Sequence, residues 1–301
     1  MMSPFCFMIL ALTLKTVLTS SAHWSYHGEH GYPGPVHWPK MEHSKCGSAS
    51  QSPINIVTND AITVPGTLIF EGYDIQKAGA GRPVSITNNG HTVQVALEGN
   101  YFMSGTGLPG KYKAVQFHFH WGRKDHRGSE HALNGKKYSA ELHIVHYNTD
   151  KYASLSEAVS SEKVGAVGVV GVFLEARQQD NANLDPVIEG LSKIRCKGDV
   201  TKLKPFSLSS ILPSDVKRFY RYEGSLTTPN CNQDVTWTIF EKPIPISRKQ
   251  LHFFRKLYET VKDETPKEHL VDNFRPLQKL NGRKVYLYST DVKLDLLRRL
   301  I

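Results

Sequence analysis

The chain reads as an α+β protein, β-dominated and built as a single domain. Three observations predict this. Short runs rich in β-branched and aromatic residues recur along its 301 residues. Gly and Pro punctuate those runs singly, with no linker or internal repeat. Helical periodicity appears in only a few stretches. Past an N-terminal leader, about 280 residues suffice to bury one substantial core.

Strands are expected at 67–70, 84–87, 93–97, 114–121, 140–147, 166–175, 234–240 and 284–288. Helices are expected at 155–161, 184–194 and 247–261, the last with Leu251, Phe254, Leu257 and Tyr258 on one face. An apolar run from Phe5 to Leu14 ends in Thr19-Ser20-Ser21-Ala22. Residues 1–22 are therefore expected to be a secretory signal peptide cleaved after Ala22, and 23–301 the mature domain with a short C-terminal tail. The run is shorter than the roughly 20 apolar residues a membrane span needs. The tail from Asp291 is broken by Lys293, Asp295, Arg298 and Arg299, so it reads as a short amphipathic helix and not as a span or lipid-anchor signal.

The formal net charge is +9. Its cations are spread out, with a short cluster from Lys193 to Lys204 and no interleaved aromatics, so no nucleic-acid partner is expected. Weak contact with an anionic extracellular matrix or membrane surface is the most this charge implies. His23, His27, His30, His37 and His43 read as exposed spacers or extra proton relays.

Chemistry enters at three histidines. His118 and His120 stand at i, i+2 in Val115-Gln116-Phe117-His118-Phe119-His120-Trp121, and His143 stands in Ala140-Glu141-Leu142-His143-Ile144-Val145. Side chains alternate faces along a strand, so the two histidines point one way and Phe117, Phe119 and Trp121 the other. If the second strand lies antiparallel beside the first, His143 joins them, while His146 has the opposite parity. Three neutral imidazoles leave one tetrahedral position of Zn²⁺ open for water. Hydrogen-bonded core histidines are the other reading of a His-x-His pair. A metal is favoured by Gln116 and Glu141, each two positions before a histidine on its own face. Buried polar groups need partners, and the second ring N–H of a metal-ligating histidine is such a partner, which also fixes the tautomer.

At these residues the chain resembles the α-class carbonic anhydrases of the secreted, extracellular type. The likeness spans about residues 24–288. It rests on Gln51-Ser52-Pro53-Ile54-Asn55-Ile56, Asn89-Gly90-His91, Gln116-Phe117-His118-Phe119-His120-Trp121-Gly122, Gly128-Ser129-Glu130-His131, Glu141-Leu142-His143, Gly224-Ser225-Leu226-Thr227-Thr228-Pro229 and Asn273-Phe274-Arg275-Pro276. The resemblance implies a central, largely antiparallel, twisted sheet with peripheral short helices. It also implies a monomeric zinc enzyme that hydrates CO₂ reversibly to bicarbonate and a proton by zinc-hydroxide attack.

Roles follow by position. His118, His120 and His143 match the zinc ligands; Gln116, Glu141 and the backbone carbonyl of Asn273 match the acceptors behind them. Thr227 matches the threonine that accepts from zinc-bound hydroxide and donates to Glu130. With its own proton on Glu130, that hydroxyl can only accept. His91 matches the proton shuttle, since a histidine of ordinary pKa, near 6.5, takes and releases protons close to neutrality. Tyr26, Asn89 and Gln94 match the polar wall that orders the water chain. Val145, Val169, Leu226 and Trp237 match the apolar CO₂ pocket, with Thr228 a further substrate-binding position. Cys46 and Cys231 fall where extracellular members carry a disulfide, which leaves Cys196 as a buried free thiol or an intermolecular partner.

Two function classes are compatible with this pattern. The first is a secreted zinc carbonic anhydrase. The second is a non-catalytic matrix or binding module on the same fold, against which the complete set of three histidines with Thr227 and Glu130 argues. A metalloprotease is disfavoured, because His-Glu-x-x-His is absent.

Overall fold

The structure, a computed structural model, describes residues 23–28, 31–74 and 84–292. The expected signal peptide, Cys6, His30 and the C-terminal tail beyond residue 292 lie outside the described residues. Within them the chain forms strands β1 (Asn55–Ile56), β2 (Ile62–Pro65), β3 (Leu68–Glu71), β4 (Ser85–Asn88), β5 (Val93–Ala96), β6 (Phe102–Gly105), β7 (Tyr112–Trp121), β8 (Ala132–Leu133) and β9 (Ala140–Asn148). Helix α1 (Leu155–Ser161), β10 (Val167–Arg177), helix α2 (Asp185–Leu191), β11 (Val200–Lys202), β12 (Arg218–Gly224), β13 (Val235–Phe240), β14 (Ile244–Ser247), helix α3 (Arg248–Arg255) and β15 (Tyr286–Ser289) follow.

Thirteen of these strands make one mixed sheet in the order β11-β4-β5-β7-β9-β10-β13-β12-β15-β2, with β14 added to β10 and β3 joined through β6 to β7. The strands around the centre, β5, β7, β9 and β10, pair antiparallel, while β13 and β14 lie parallel to β10. Every residue of β9 is buried, because the sheet is covered on both faces at its centre. One core holds Phe117, Phe119, Trp121, Leu142 and Ile144 together with Val187 and Leu191 of α2 and Leu251 and Phe254 of α3. A second holds Val145, Val169, Tyr222, Val235 and Trp237. Burial of each such side chain stabilises by about 1.5–3 kcal/mol, so folding rests on these clusters and leaves the histidine face free for chemistry.

The expected helix at 247–261 is shorter than its pattern. Ser247 and Gln250 form a capping box at its start, and it stops at Arg255. Beyond that, the Tyr258 amide donates to Arg195 O and the Glu259 amide to Glu268 O, so the backbone is drawn into pairing with other segments and Tyr258 lies outside the helix. The strands without a sequence signal have physical disguises. Arg221, 3% exposed, stands inside β12 with its guanidinium about 5.0 Å from the Phe219 and Tyr288 rings, which breaks the apolar pattern. Pro245 and Pro65 occupy β14 and β2, and proline argues against a strand in any local reading.

His146 confirms the parity argument by pointing away from the other histidines. Its Nε2 lies 2.5 Å from the Tyr73 hydroxyl and its Nδ1 3.1 Å from Gly168 O, and burial pushes its pKa down to about 4. The neutral ring therefore donates to the carbonyl and accepts from the tyrosine. Tyr73→Phe should orphan that nitrogen and destabilise the fold by about 1–3 kcal/mol, read from urea melts at pH 7; an unchanged midpoint would contradict the pairing.

Candidate metal centre

His118 on β7 and His143 on β9 are direct cross-strand neighbours, and His120 stands one pleat further along opposite Glu141. One nitrogen from each of the three rings lies within 4.8 Å of the others. Their remaining nitrogens are all engaged: His118 Nδ1 with Gln116 Oε1 at 2.9 Å, His120 Nδ1 with Asn273 O at 2.7 Å and His143 Nε2 with Glu141 Oε1 at 2.7 Å. Asn273 O and Glu141 can only accept, so those nitrogens carry the protons. The opposite nitrogens, His120 Nε2 and His143 Nδ1, face one another at 3.1 Å, and in neutral rings both would carry lone pairs. Such a pair is unfavourable unless a cation lies between them. Burial lowers the pKa of His118, further depressed by His120 and His143, and burial also lowers that of His120. Burial thus favours the neutral, ligating form of His118 and His120.

Glu130 adds to this demand for a cation. Its Oε1 accepts from the Arg275 amide at 2.7 Å, but its fully buried Oε2 has no hydrogen-bond partner and lies 3.6 Å from His120 Nε2 and 4.0 Å from His143 Nδ1. Thr227 is buried, yet the bond to Glu130 that the resemblance implies is not made to this oxygen. Three imidazole nitrogens beside a carboxylate oxygen with no hydrogen-bond partner among the described residues fit a divalent cation such as Zn²⁺.

Glu141 is held by more than its histidine. Its Oε2 accepts from the amides of Glu130 and His131 at 2.9 and 2.8 Å, and its Oε1 lies 2.7 Å from His131 Nδ1. The Tyr222 hydroxyl bridges His131 Nε2 and Ser52 Oγ, both at 2.7 Å. Burial works to raise the Glu141 carboxyl, but the His131 and His143 rings and their hydrogen bonds outweigh it and hold the pKa well below the usual carboxylate range. His131, Tyr222 and Ser52 carried no assigned role in the sequence; they are far apart in the chain, and no local spacing announces the network. His131 and Glu141 also form a second donor cluster with His143.

The other site residues surround this centre. Asn273 bonds its side chain to the Trp121 amide, Phe119 O and His91 O, tying the His91 turn to the ligand strand. Asn89 Oδ1 accepts from the amides of His91 and Thr92 at 2.9 and 2.8 Å, so its carbonyl shapes the turn. Gln94 pairs in register with His118. Tyr26 packs edge-on against Trp24 and Trp38, with its pKa raised by burial and by Glu130. Val145 and Trp237 flank Val169 on neighbouring strands, Leu226 packs against them, and the Trp237 ring lies 4.8 Å from the His143 ring. Thr228 is half-buried, and its carbonyl accepts from the Cys231 amide.

Cys46 and Cys231 form the expected disulfide, and Cys196 is a buried free thiol. Arg275 joins the bridge to the site: its guanidinium donates to Cys46 O, Ser52 O and Gln51 Oε1 at 2.7–2.9 Å, while its amide holds Glu130.

One expectation needs correction. His91 stacks on Trp24 with centroids 3.9 Å apart and planes 13° from parallel. Burial there, with Lys197 and His23 nearby, pushes its pKa down to about 4, so the stacked ring does not titrate near neutrality.

The large β-sheet thus carries a three-histidine candidate metal site with an apolar patch beside it. Residues 33–289 match the model of the eukaryotic-type carbonic anhydrases, and the chain belongs to that family. It is 39% identical over 267 residues to carbonic anhydrase 7 of Homo sapiens, covering 86% of this chain and 97% of the relative. To carbonic anhydrase 15 of Mus musculus it is 37% identical over 293 residues, covering 93% and 88%. To carbonic anhydrase 4 of Oryctolagus cuniculus it is 37% identical over 289 residues, covering 93% and 89%. The chain is a carbonic anhydrase, and hydration of CO₂ is the activity of its family.

Two predictions follow from this geometry. Glu141→Gln should keep the shape but lose the charge behind His143 and so weaken zinc about 10- to 100-fold in a chelator competition; unchanged affinity would reject its role. Trp24→Ala should free the His91 ring and move its titration from about 4 up towards 6.5, followed by NMR of the imidazole protons; a midpoint that stays near 4 would mean that Trp24 is not the cause.

Proposed function

We propose that the protein is exported and that His118, His120 and His143 hold Zn²⁺ for reversible hydration of CO₂ to bicarbonate and a proton. The facing lone pairs of His120 Nε2 and His143 Nδ1 at 3.1 Å carry this reading. The apolar run followed by small residues at 1–22, together with the Cys46–Cys231 disulfide, supports export, since such bridges persist in oxidising compartments. Bound zinc would supply a water of lowered pKa, about 7 in carbonic anhydrases as a class.

The chain's own residues do the rest. Val145, Val169, Leu226 and Trp237 offer CO₂ a dry surface beside His143, with Thr228 at its margin. CO₂ has no proton to donate, so an apolar patch suffices. A Thr227 hydroxyl turned to donate to Glu130 Oε2, the unpartnered carboxylate oxygen, has only lone pairs left for the attacking oxygen, which aligns it on carbon. Tyr26, Asn89 and Gln94 order the exit water. His91 carries the proton out, and it does so when unstacked from Trp24, where its affinity returns to the neutral range.

Stopped-flow CO₂ hydration of the zinc-loaded protein tests this reading. His143→Ala should remove nearly all activity while far-UV circular dichroism remains β-rich. Thr227→Val should keep zinc and slow the reaction by about 100-fold, the scale of losing a positioning hydrogen bond. Wild-type rates in either variant would contradict the assignment, and a zinc-loaded wild type without activity would favour the binding-module reading.

A further inference from the structure

The exposed cations of the basic stretch from Lys193 to Lys204 have no role in the core or in the candidate metal centre. The side chains of this stretch segregate by face. Ile194, Cys196 and Leu203 are buried, whereas Lys193, Arg195, Lys197, Lys202 and Lys204 are exposed. The backbone that carries them is firmly held. Tyr258 donates its amide to Arg195 O at 2.7 Å, Lys197 donates to Thr260 O at 3.0 Å, and Gly198 donates to Asn88 O at 2.8 Å. The stretch then enters β11, which pairs with β4 and is the terminal strand of the sheet.

Local acids do not fully neutralise this row. They offset only part of it: Asp199, held on the Cys196 amide at 2.8 Å, contributes one negative charge, and Glu189 pairs with Lys204 at 2.9 Å. Lys204 is ion-paired and Arg195 lies over the Tyr258 ring, yet five exposed cations within twelve residues still repel one another, and burial of Ile194, Cys196 and Leu203 would be served as well by neutral neighbours. We infer that this strip is a docking surface for a sulfated polysaccharide, a stiff polyanion whose charges repeat along its length. Lys193 and Lys197 are presented by turns, Arg195 by the segment between them, and Lys202 and Lys204 by the end of β11 and the residues after it, so the charges follow one another along the chain and suit a linear ligand read through them.

Other polyanions fit less well. The outward row holds no aromatic side chain on which bases could stack. Its exposed apolar residue is Val200, too little to enter a bilayer. The choice of a sulfated polymer rests on the proposed export, but the surface itself is independent of the zinc chemistry. The strip also reaches the mouth of the site, because the Lys197 side chain packs over Gly90, the residue before His91.

The test uses mature zinc-loaded protein on immobilised heparin, with fully desulfated heparin, single-stranded DNA and phosphatidylserine vesicles as comparison ligands. Heparin should bind most tightly, and salt should weaken it steeply. Lys193→Glu/Lys202→Glu should weaken binding by about tenfold or more, and Lys193→Gln/Lys202→Gln by a smaller factor. Lys151→Glu/Lys163→Glu, with the same change in net charge at exposed lysines flanking α1, should change it less than about twofold. CO₂ hydration should be equal in all of them, which separates this proposal from the zinc reading and shows that each variant is folded. Equal loss in the control pair, equal binding of desulfated heparin, preference for DNA or vesicles, or no heparin binding at all would each overturn the inference.

Discussion

Everything at the centre depends on the three acceptors behind the histidines. Gln116, Asn273 O and Glu141 each occupy one ring nitrogen and so dictate which nitrogen of His118, His120 and His143 keeps its lone pair. An imidazole alone can turn either edge to a metal. Here burial keeps the His118 and His120 rings neutral, and the acceptors aim all three lone pairs at one point. Without a cation the arrangement is electrostatically unfavourable, and the unpaired oxygen of Glu130 sharpens the demand.

The scaffold holds those acceptors by hydrogen bonds that share members. Asn273 serves His120 with its carbonyl and binds β7 and the His91 turn with its side chain. Glu141 is fixed by two amides and two imidazoles. Arg275 connects Glu130 to Gln51, Ser52 and the disulfide segment. A change at Cys46 or Ser52 can therefore be felt at the metal ligands without touching them.

Much of this was legible from local pattern. The i, i+2 spacing of His118 and His120 on a β-rich run, and the parity that includes His143 but excludes His146, follow from strand geometry alone. Gln116 and Glu141 were legible for the same reason. Asn273 was not, because its contribution is a backbone carbonyl from residues far along the chain, and only the family likeness singled it out. His131, Tyr222 and Ser52 likewise meet only in the folded sheet. The ordinary pKa expected of His91 failed because stacking on Trp24 is a tertiary contact. Arg221 hid β12 because its charge lies against a stacked pair of aromatic rings, Phe219 and Tyr288, that no sequence window brings together.

The central claim is that the fixed tautomers select one metal position among two neighbouring donor clusters, His118, His120 and His143 or His131, Glu141 and His143. Anomalous diffraction at the zinc edge from crystals of the zinc-loaded protein tests it directly. The account predicts one full-occupancy peak about 2.0–2.1 Å from His118 Nε2, His120 Nε2 and His143 Nδ1. A peak between His131 and Glu141, or coordination through His118 Nδ1 or His143 Nε2, would contradict it.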